Sequence, residues 1–263
     1  MKLAGARVLL TGATGGLGQA IARGLHARGA SLTVTGRRAD VLEPLAAELG
    51  ARVVVSDLSL PDAPANLLAE AGEVDVLVAN AGLPGSGRLN SFAPEEIDRA
   101  LTVNLRAPML LAHGLLDQML ERGSGHLLFM SSLAGRAAAP GSSVYSATKF
   151  GLRGFALGLR EDLAPKGIGV SVVLPGFISD AGMFADSGAK LPPYVGTKRP
   201  DDVARAVVKA IEGNRAEIDV APLPLRAGAV LASLVPGPAG TVQRKLGGAA
   251  TAAQFERGQV DKR

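Results

Sequence analysis

Arg7-Val8-Leu9-Leu10-Thr11-Gly12-Ala13-Thr14-Gly15-Gly16-Leu17-Gly18 runs from a short apolar stretch straight into a glycine-rich turn and on into a helical pattern, and that order decides the fold. A strand ending in such a turn brings free backbone N–H groups and the positive end of the next helix to one point. Phosphate is favoured there, and glycine lets the backbone approach it. A glycine turn alone matches many unrelated sequences, so its weight comes from what surrounds it.

Short apolar runs alternate with longer helical patterns along the rest of the chain. Arg7–Thr11, Ser31–Thr35, Arg52–Ser56, Asp75–Ala79, His126–Met130, Gly169–Leu174 and Glu217–Val220 read as seven strands. Between them Gly16–Arg28, Ala39–Leu49, Pro94–Glu121, Ser143–Ala164 and Pro200–Glu212 carry apolar residues at three- and four-residue spacing and read as crossover helices. Strands buried on both faces look continuously apolar, and repeated right-handed crossovers give a doubly wound, mainly parallel sheet with helices on both faces. Ligands in such folds lie beyond the carboxyl ends of the strands.

At 263 residues the chain suits one α/β domain, with a core from about residue 6 to 220 and a C-terminal extension over 221–263. The net charge of +4 comes from basic residues interspersed with acidic ones, aromatic residues are few, and no nucleic-acid partner is expected. There is no cysteine, which excludes disulfides and thiolate metal sites, and His26, His113 and His126 have no ligand spacing, so no metal is expected. Arg7 interrupts the first apolar stretch and no run is long enough to cross a bilayer, which points to the cytoplasm.

Two regions fall outside the repeat. Between Pro175 and Lys198 the residues Phe177, Met183, Phe184, Leu191 and Tyr194 are scattered among glycines and prolines, which suits a loop that folds over a substrate. Arg226–Leu234 is apolar and is expected to dock on the protein's own core or on a second subunit, with a lipid surface or a greasy substrate as the weaker reading. From Thr241 onward the chain reads as a solvated, basic tail.

Two places carry chemistry. Where an acidic side chain at the end of the second strand would grip the ribose hydroxyls of NAD, the chain has Gly36-Arg37-Arg38, and a guanidinium suits the extra phosphate of NADP. Tyr145 and Lys149 fall one turn apart on one helix; a nearby ammonium favours phenolate, so Lys149 together with the oxidised nicotinamide is expected to make the phenol a usable acid or base near neutral pH. Ser132 or its neighbour Ser131, just past the fifth strand, would donate to a substrate oxygen; the thirteen-residue spacing to Tyr145 selects Ser132.

These motifs together resemble the short-chain dehydrogenase/reductase family, from about Ala6 to Val220. The resemblance implies a Rossmann-type fold and an oxidoreductase that uses NADP in preference to NAD. It implies a cofactor site of Gly12, Thr14, Gly16, Leu17 and Gly18 in the loop, Arg37 and Arg38, an adenine-pocket acid Asp57 followed by Leu58, and the turn Asn80-Ala81-Gly82. It also implies catalysis by Asn104, Ser132, Tyr145 and Lys149, with Tyr145 and Lys149 touching the cofactor and Asn104 holding a water that links Lys149 to solvent. Pro175, Gly176 and Ile178 would border the nicotinamide. The threonine usual two positions after Ile178 is Asp180 here, so either Ser179 replaces its hydroxyl or the loop runs differently.

The expected reaction interconverts a carbonyl and an alcohol on an apolar small molecule. Two alternatives stay open: a 3-oxoacyl thioester reductase, with Arg136 or Arg153 meeting an acidic carrier unless they are simply solvated, and a non-catalytic NADP-binding regulator on the same fold. Family members assemble as homodimers or homotetramers through the tyrosine-bearing helix, where Gly151, Gly154, Ala156 and Gly158 would permit close contact, or would serve packing inside the domain.

Overall fold

A computed structural model of the protein describes residues 1–189, 191, 195–245 and 248–259; Tyr194 and parts of the basic tail lie outside them. The first half runs β1 (Arg7–Thr11), α1 (Gly16–His26), β2 (Ser31–Gly36), α2 (Ala39–Leu49), β3 (Arg52–Val55), α3 (Ala63–Ala71) and β4 (Val76–Ala79). Next come α4 (Pro94–Leu101), α5 (Ala107–Arg122), β5 (Gly125–Met130), α6 (Ser143–Leu163) and β6 (Ile168–Pro175). The chain continues with α7 (Met183–Ser187), α8 (Pro200–Glu212), β7 (Glu217–Val220), α9 (Leu223–Leu234), α10 (Pro236–Lys245) and α11 (Gly248–Gln259).

All strand pairs are parallel and the order is β3-β2-β1-β4-β5-β6-β7, so the sheet reverses direction of growth between β1 and β4. In doubly wound sheets ligands bind at such a reversal, outside the carboxyl ends of the strands. Helices α1, α2 and α8 cover one face through residues such as Ile21, Leu42 and Val207, while α3, α5 and α6 cover the other through Leu67, Leu111 and Leu152. With both faces covered, β4, β5 and β6 are buried along their whole lengths, as their mainly apolar runs require.

The long helix expected over Pro94–Glu121 is divided by a π turn at Thr102–Arg106. Pro108 explains the break: it has no N–H to give the Asn104 carbonyl four residues earlier. The tail also differs from the solvated extension expected of it. Its composition of small residues has no apolar stripe, yet α11 folds back onto α7, with Gln259 buried and its Nε2 donating to the Met183 carbonyl at 2.9 Å.

Candidate active site

The glycine turn joins β1 to α1 and leans on the end of β4. Gly12 has φ +69°, and a Cβ on it would stand 2.7 Å from the Ala81 Cα, so glycine is required there on both counts. Asn80 closes the same contact: its Nδ2 donates to the Thr11 carbonyl at 3.0 Å, while the Asn80 and Ala81 amides each donate to Thr11 Oγ1 at 3.0 Å. Asn80 therefore clamps two strand ends together. A Cβ on Gly18 would collide with the Gly12 carbonyl, and one on Gly16 with Ala181. Helix α1 starts at Gly16 with no side-chain cap, which leaves the amides of its first turn, Leu17 among them, for an anion.

At the end of β2, Gly36 lies against Thr14, whose carbonyl accepts from the Arg38 guanidinium at 2.9 Å. Arg37 is exposed beside it. Asp57, just past β3, holds Ser59 through its amide at 3.0 Å and its hydroxyl at 2.8 Å. Partial burial raises the Asp57 carboxyl; the Ser59 bonds and the charges of Arg37 and Arg99 outweigh that and set it below its ordinary value. Leu58 turns into the core. The acid, the arginines and the glycine turn thus share the β1–β3 side of the reversal.

The other side gathers Ser132, Tyr145, Lys149 and Asn104. Ser132 follows β5 and opens a short 3₁₀ turn, Leu133–Gly135, by accepting from the Ala134 amide at 3.1 Å; its hydroxyl also lies 3.3 Å from the Pro175 carbonyl. It stands near enough to the Tyr145 hydroxyl to favour its phenolate form. Ser131 points elsewhere, donating to the Lys149 carbonyl at 2.9 Å inside the protein, so the structure separates the two serines as the spacing does.

Lys149 is buried one turn beyond Tyr145. Its Nζ donates to the Met130 carbonyl at 2.9 Å and lies 5.6 Å from the Tyr145 ring centroid. This ammonium does not by itself lower the phenol. Burial pushes Tyr145 up to about 12, only the nearby Ser132 hydroxyl opposes it, and burial brings Lys149 down to about 8. The reason is direction: the ammonium is aimed at the end of β5 rather than at the phenol oxygen. No sequence pattern marks a main-chain partner such as Met130.

Asn104, fully buried in the π turn, spends its side chain on Leu83 and Thr148, accepting from the Leu83 amide at 2.6 Å and donating to the Leu83 carbonyl at 2.9 Å and to Thr148 Oγ1. Thr148 stands 3.4 Å from its Nδ2. A water held by Asn104 would therefore use its main-chain carbonyl, the one that Pro108 leaves without the usual helical donor. Gly82 borders the same nook. A Cβ on it would lie 3.3 Å from Asn104 Oδ1, 3.6 Å from Lys149 Nζ and 3.6 Å from Met183 Cε.

The loop after β6 closes the top. Gly176 sits within contact of Ala221, Leu133 and Leu225, and Ile178 is buried and bridged to Lys198. At the departure from the usual pattern, Asp180 takes φ +67° and turns its carboxylate to the surface, 3.7 Å from Arg199. Ser179 is bonded to Asp180 at 3.1 Å and to the Lys198 carbonyl at 3.3 Å, so both side chains serve the loop itself. Phe177, Phe184 and Phe255 form a cluster with ring centroids 5.3–5.9 Å apart. Phe255 comes from α11, and its being a lone aromatic in the tail was the only trace of it in the sequence.

The two arginines considered for an acidic carrier are not solvated. Arg136 pairs with Glu217 at 3.1 Å and Asp219 at 3.0 Å, and Arg153 with Glu217, in a half-buried cluster on β7.

The short chain dehydrogenase family model matches residues 6–192. The chain is 37% identical over 227 residues to the ketoacyl reductase HetN of Nostoc sp., covering 83% of this chain and 79% of that protein. It is 33% identical over 180 residues to the 3-oxoacyl-[acyl-carrier-protein] reductase FabG of Rickettsia conorii, covering 68% of this chain and 75% of the relative. Among solved structures it is similar to a short-chain dehydrogenase from Sphingobium yanoikuyae in complex with NADPH, with a TM-score of 0.76, 28% identity and coverage of 90% and 95% of the two chains.

Proposed function

From the premise that the chain belongs to the short chain dehydrogenase family, and is an NAD(P)-dependent oxidoreductase, we propose that it reduces the carbonyl group of an apolar small molecule with NADPH. The observation that carries this reading is the meeting of Ser132, Tyr145 and Lys149 at the carboxyl ends of β5 and β6. NADPH, when bound, supplies the hydride.

The protein's own groups do the rest. Ser132 donates to the carbonyl oxygen and favours the charge that grows there. Tyr145, held in its protonated form by burial, gives its proton to that oxygen, which suits the reductive direction. Lys149, near 8, can pass a proton on towards Tyr145 from the Asn104 carbonyl side. Arg37 and Arg38 suit the 2′-phosphate of NADP, the amides of Gly16 and Leu17 with Gly12, Thr14 and Gly18 suit the pyrophosphate, Asp57 and Leu58 the adenine, and Asn80-Ala81-Gly82, Pro175, Gly176 and Ile178 the nicotinamide half. The cluster of Phe177, Phe184 and Phe255 after β6 favours an apolar substrate.

The names of the relatives favour a second reading, reduction of a 3-oxoacyl thioester. With Arg136 and Arg153 committed to β7, a carrier would have to be held elsewhere. NADPH consumption with apolar ketones, with 3-oxoacyl thioesters and with NADH in place of NADPH separates the readings. Faster turnover of the ketones with NADPH is expected; nucleotide binding with no turnover of any carbonyl would point to a regulator. We place the enzyme in the cytoplasm as a homo-oligomer joined through α6 and α5. Gly151 packs on Leu105 and Ala156 is core, whereas a Cβ on Gly154 or Gly158 would meet nothing within 4 Å, which leaves that face open to a second subunit.

A further inference from the structure

One carboxylate ties the two halves of the catalytic set together. Glu217, on the edge strand β7, holds Arg153 through both of its oxygens, with Arg153 Nη2 donating to Oε2 at 3.1 Å, and the same Oε2 accepts from Arg136 Nη2 at 3.1 Å. Asp219, two residues on along the same face of β7, accepts from Arg136 Nη2 at 3.0 Å. Arg136 follows the short 3₁₀ turn that Ser132 opens, and Arg153 lies on α6 one turn past Lys149 and two past Tyr145. The serine on one element and the tyrosine and lysine on another are thus joined at one acid.

The turn is fastened on both sides of Ser132. Before it, Ser131 donates to the Lys149 carbonyl at 2.9 Å; after it, Arg136 runs to the acid that holds Arg153. Both fastenings end on the same stretch of α6, from Lys149 to Arg153. The second depends on the two carboxylates, since Arg136 Nε is buried with no hydrogen-bond partner among the described residues. The Arg136 and Asp219 side chains are only 13% and 10% exposed, so these charges are weakly screened. Partial burial raises the Glu217 carboxyl, and the bonds and charges of Arg153 and Arg136 outweigh that, so the acid is ionised at neutral pH. Buried ion clusters add little stability over apolar side chains of the same size. Their forked geometry fixes direction, and direction is what a proton donor beside a carbonyl needs.

We propose that Glu217 is a positioning residue: through Arg136 and Arg153 it holds the Ser132 turn in register with Tyr145 and Lys149 without itself touching the reacting groups. The kinetic half of this rests on the reductase reading; the mechanical half does not. The molecule carries its own control. Asp75, just before β4, likewise takes two arginines, Arg7 at 2.7 Å and Arg122 at 3.7 Å, but it joins elements at the amino ends of the strands, away from the site.

The test compares Glu217→Gln with Asp75→Asn in the full-length protein, by amide hydrogen exchange and by NADPH-dependent turnover of an apolar ketone. Glu217→Gln should speed exchange over residues 131–137 and lower kcat, each about tenfold or more, with NADPH affinity within roughly twofold of the parent's. Glu217→Asp, which keeps the charge, should recover much of both. Asp75→Asn should lower the melting temperature and change neither. Should loss of Glu217 prevent folding, Arg136→Gln, which leaves Glu217 paired with Arg153, should show smaller losses in the same two readouts. Exchange and kcat at the parent's level in Glu217→Gln or, failing that, in Arg136→Gln overturn the proposal. So does a fall in kcat for Asp75→Asn as large as that for Glu217→Gln, since lost stability would then explain both. A parent that turns over no carbonyl refutes the reductase reading instead, and exchange at residues 131–137 then decides the role of Glu217 by itself.

Discussion

At the amino end of β5 the His126 ring is buried with its Nε2 2.9 Å from Ser171 Oγ, whereas at the carboxyl end of the same strand the Met130 carbonyl accepts from Lys149 Nζ at 2.9 Å. Burial shifts both bases, His126 down to about 3 with the positive charges of the N-terminus and Arg160 adding to it and Lys149 down to about 8, so perturbation does not distinguish them. Their surroundings do. Ser171 spends its proton on the Arg215 carbonyl at 2.6 Å, which makes the histidine the donor and closes the cluster against everything else. Lys149 has one backbone partner and otherwise faces Tyr145 and the nook beside Gly82. A closed set of bonds holds a fold; an open one can receive a ligand.

The widest separation between the two ends is expected from Tyr145→Phe. It removes one hydroxyl, so kcat should fall roughly 10²–10⁴-fold while NADPH affinity and melting temperature stay close to the parent's. Single-turnover rates and nucleotide titration check both halves. Near-normal turnover would take the chemistry away from the carboxyl end.

His126→Leu should do the reverse. The folded His126 value lies below that of the unfolded chain, so its contribution to stability is whole above about 6.5 and drains as the pH falls towards about 3, by ~1.4 kcal/mol for each pH unit. Leucine cannot take up that proton. The variant's melting temperature should therefore fall less steeply below pH 6.5 than the parent's, with kcat at neutral pH unchanged. Parallel melting curves across that range would show that the histidine is not the group being charged.

The contrast between the ends also explains what was legible in the sequence. Each of the seven strands was readable to within about a residue, the central β4, β5 and β6 most directly because burial on both faces calls for mainly apolar runs. Ser132, Tyr145, Lys149 and the glycine turn were readable because their spacing is set by local geometry. What local spacing cannot carry stayed hidden: the Met130 carbonyl that turns Lys149 from the phenol, the Leu83 bonds that occupy Asn104, and the β7 carboxylates that claim Arg136 and Arg153. Helix α11 was hidden because Gly, Ala and Thr give it no apolar stripe, and its order comes from contacts with α7 far back in the chain.

On the nucleotide side, Arg37→Asp should weaken NADPH binding about tenfold or more by replacing a phosphate partner with a repelling carboxylate, while NADH binding improves. Fluorescence titration with both nucleotides reads the exchange. Unchanged preference would transfer the phosphate to Arg38, whose bond to the Thr14 carbonyl would then have to be given up.

The smallest effect is expected at Met183, where the open end of the sheet is partly closed by its own chain. The methionine methyl shares the nook with Lys149 Nζ and Asn104 Oδ1, and on the proposed reading a nicotinamide ribose reaching Lys149 would displace it. Methionine moves at little cost because its side chain is unbranched and flexible. Met183→Ala should thus tighten NADPH binding by a factor of about 2–3, as the displacement is no longer needed. Loss of affinity would mean instead that the thioether packs against the bound nucleotide, and that α7, held down by Gln259 and Phe255, is a wall of the finished site rather than its stopper.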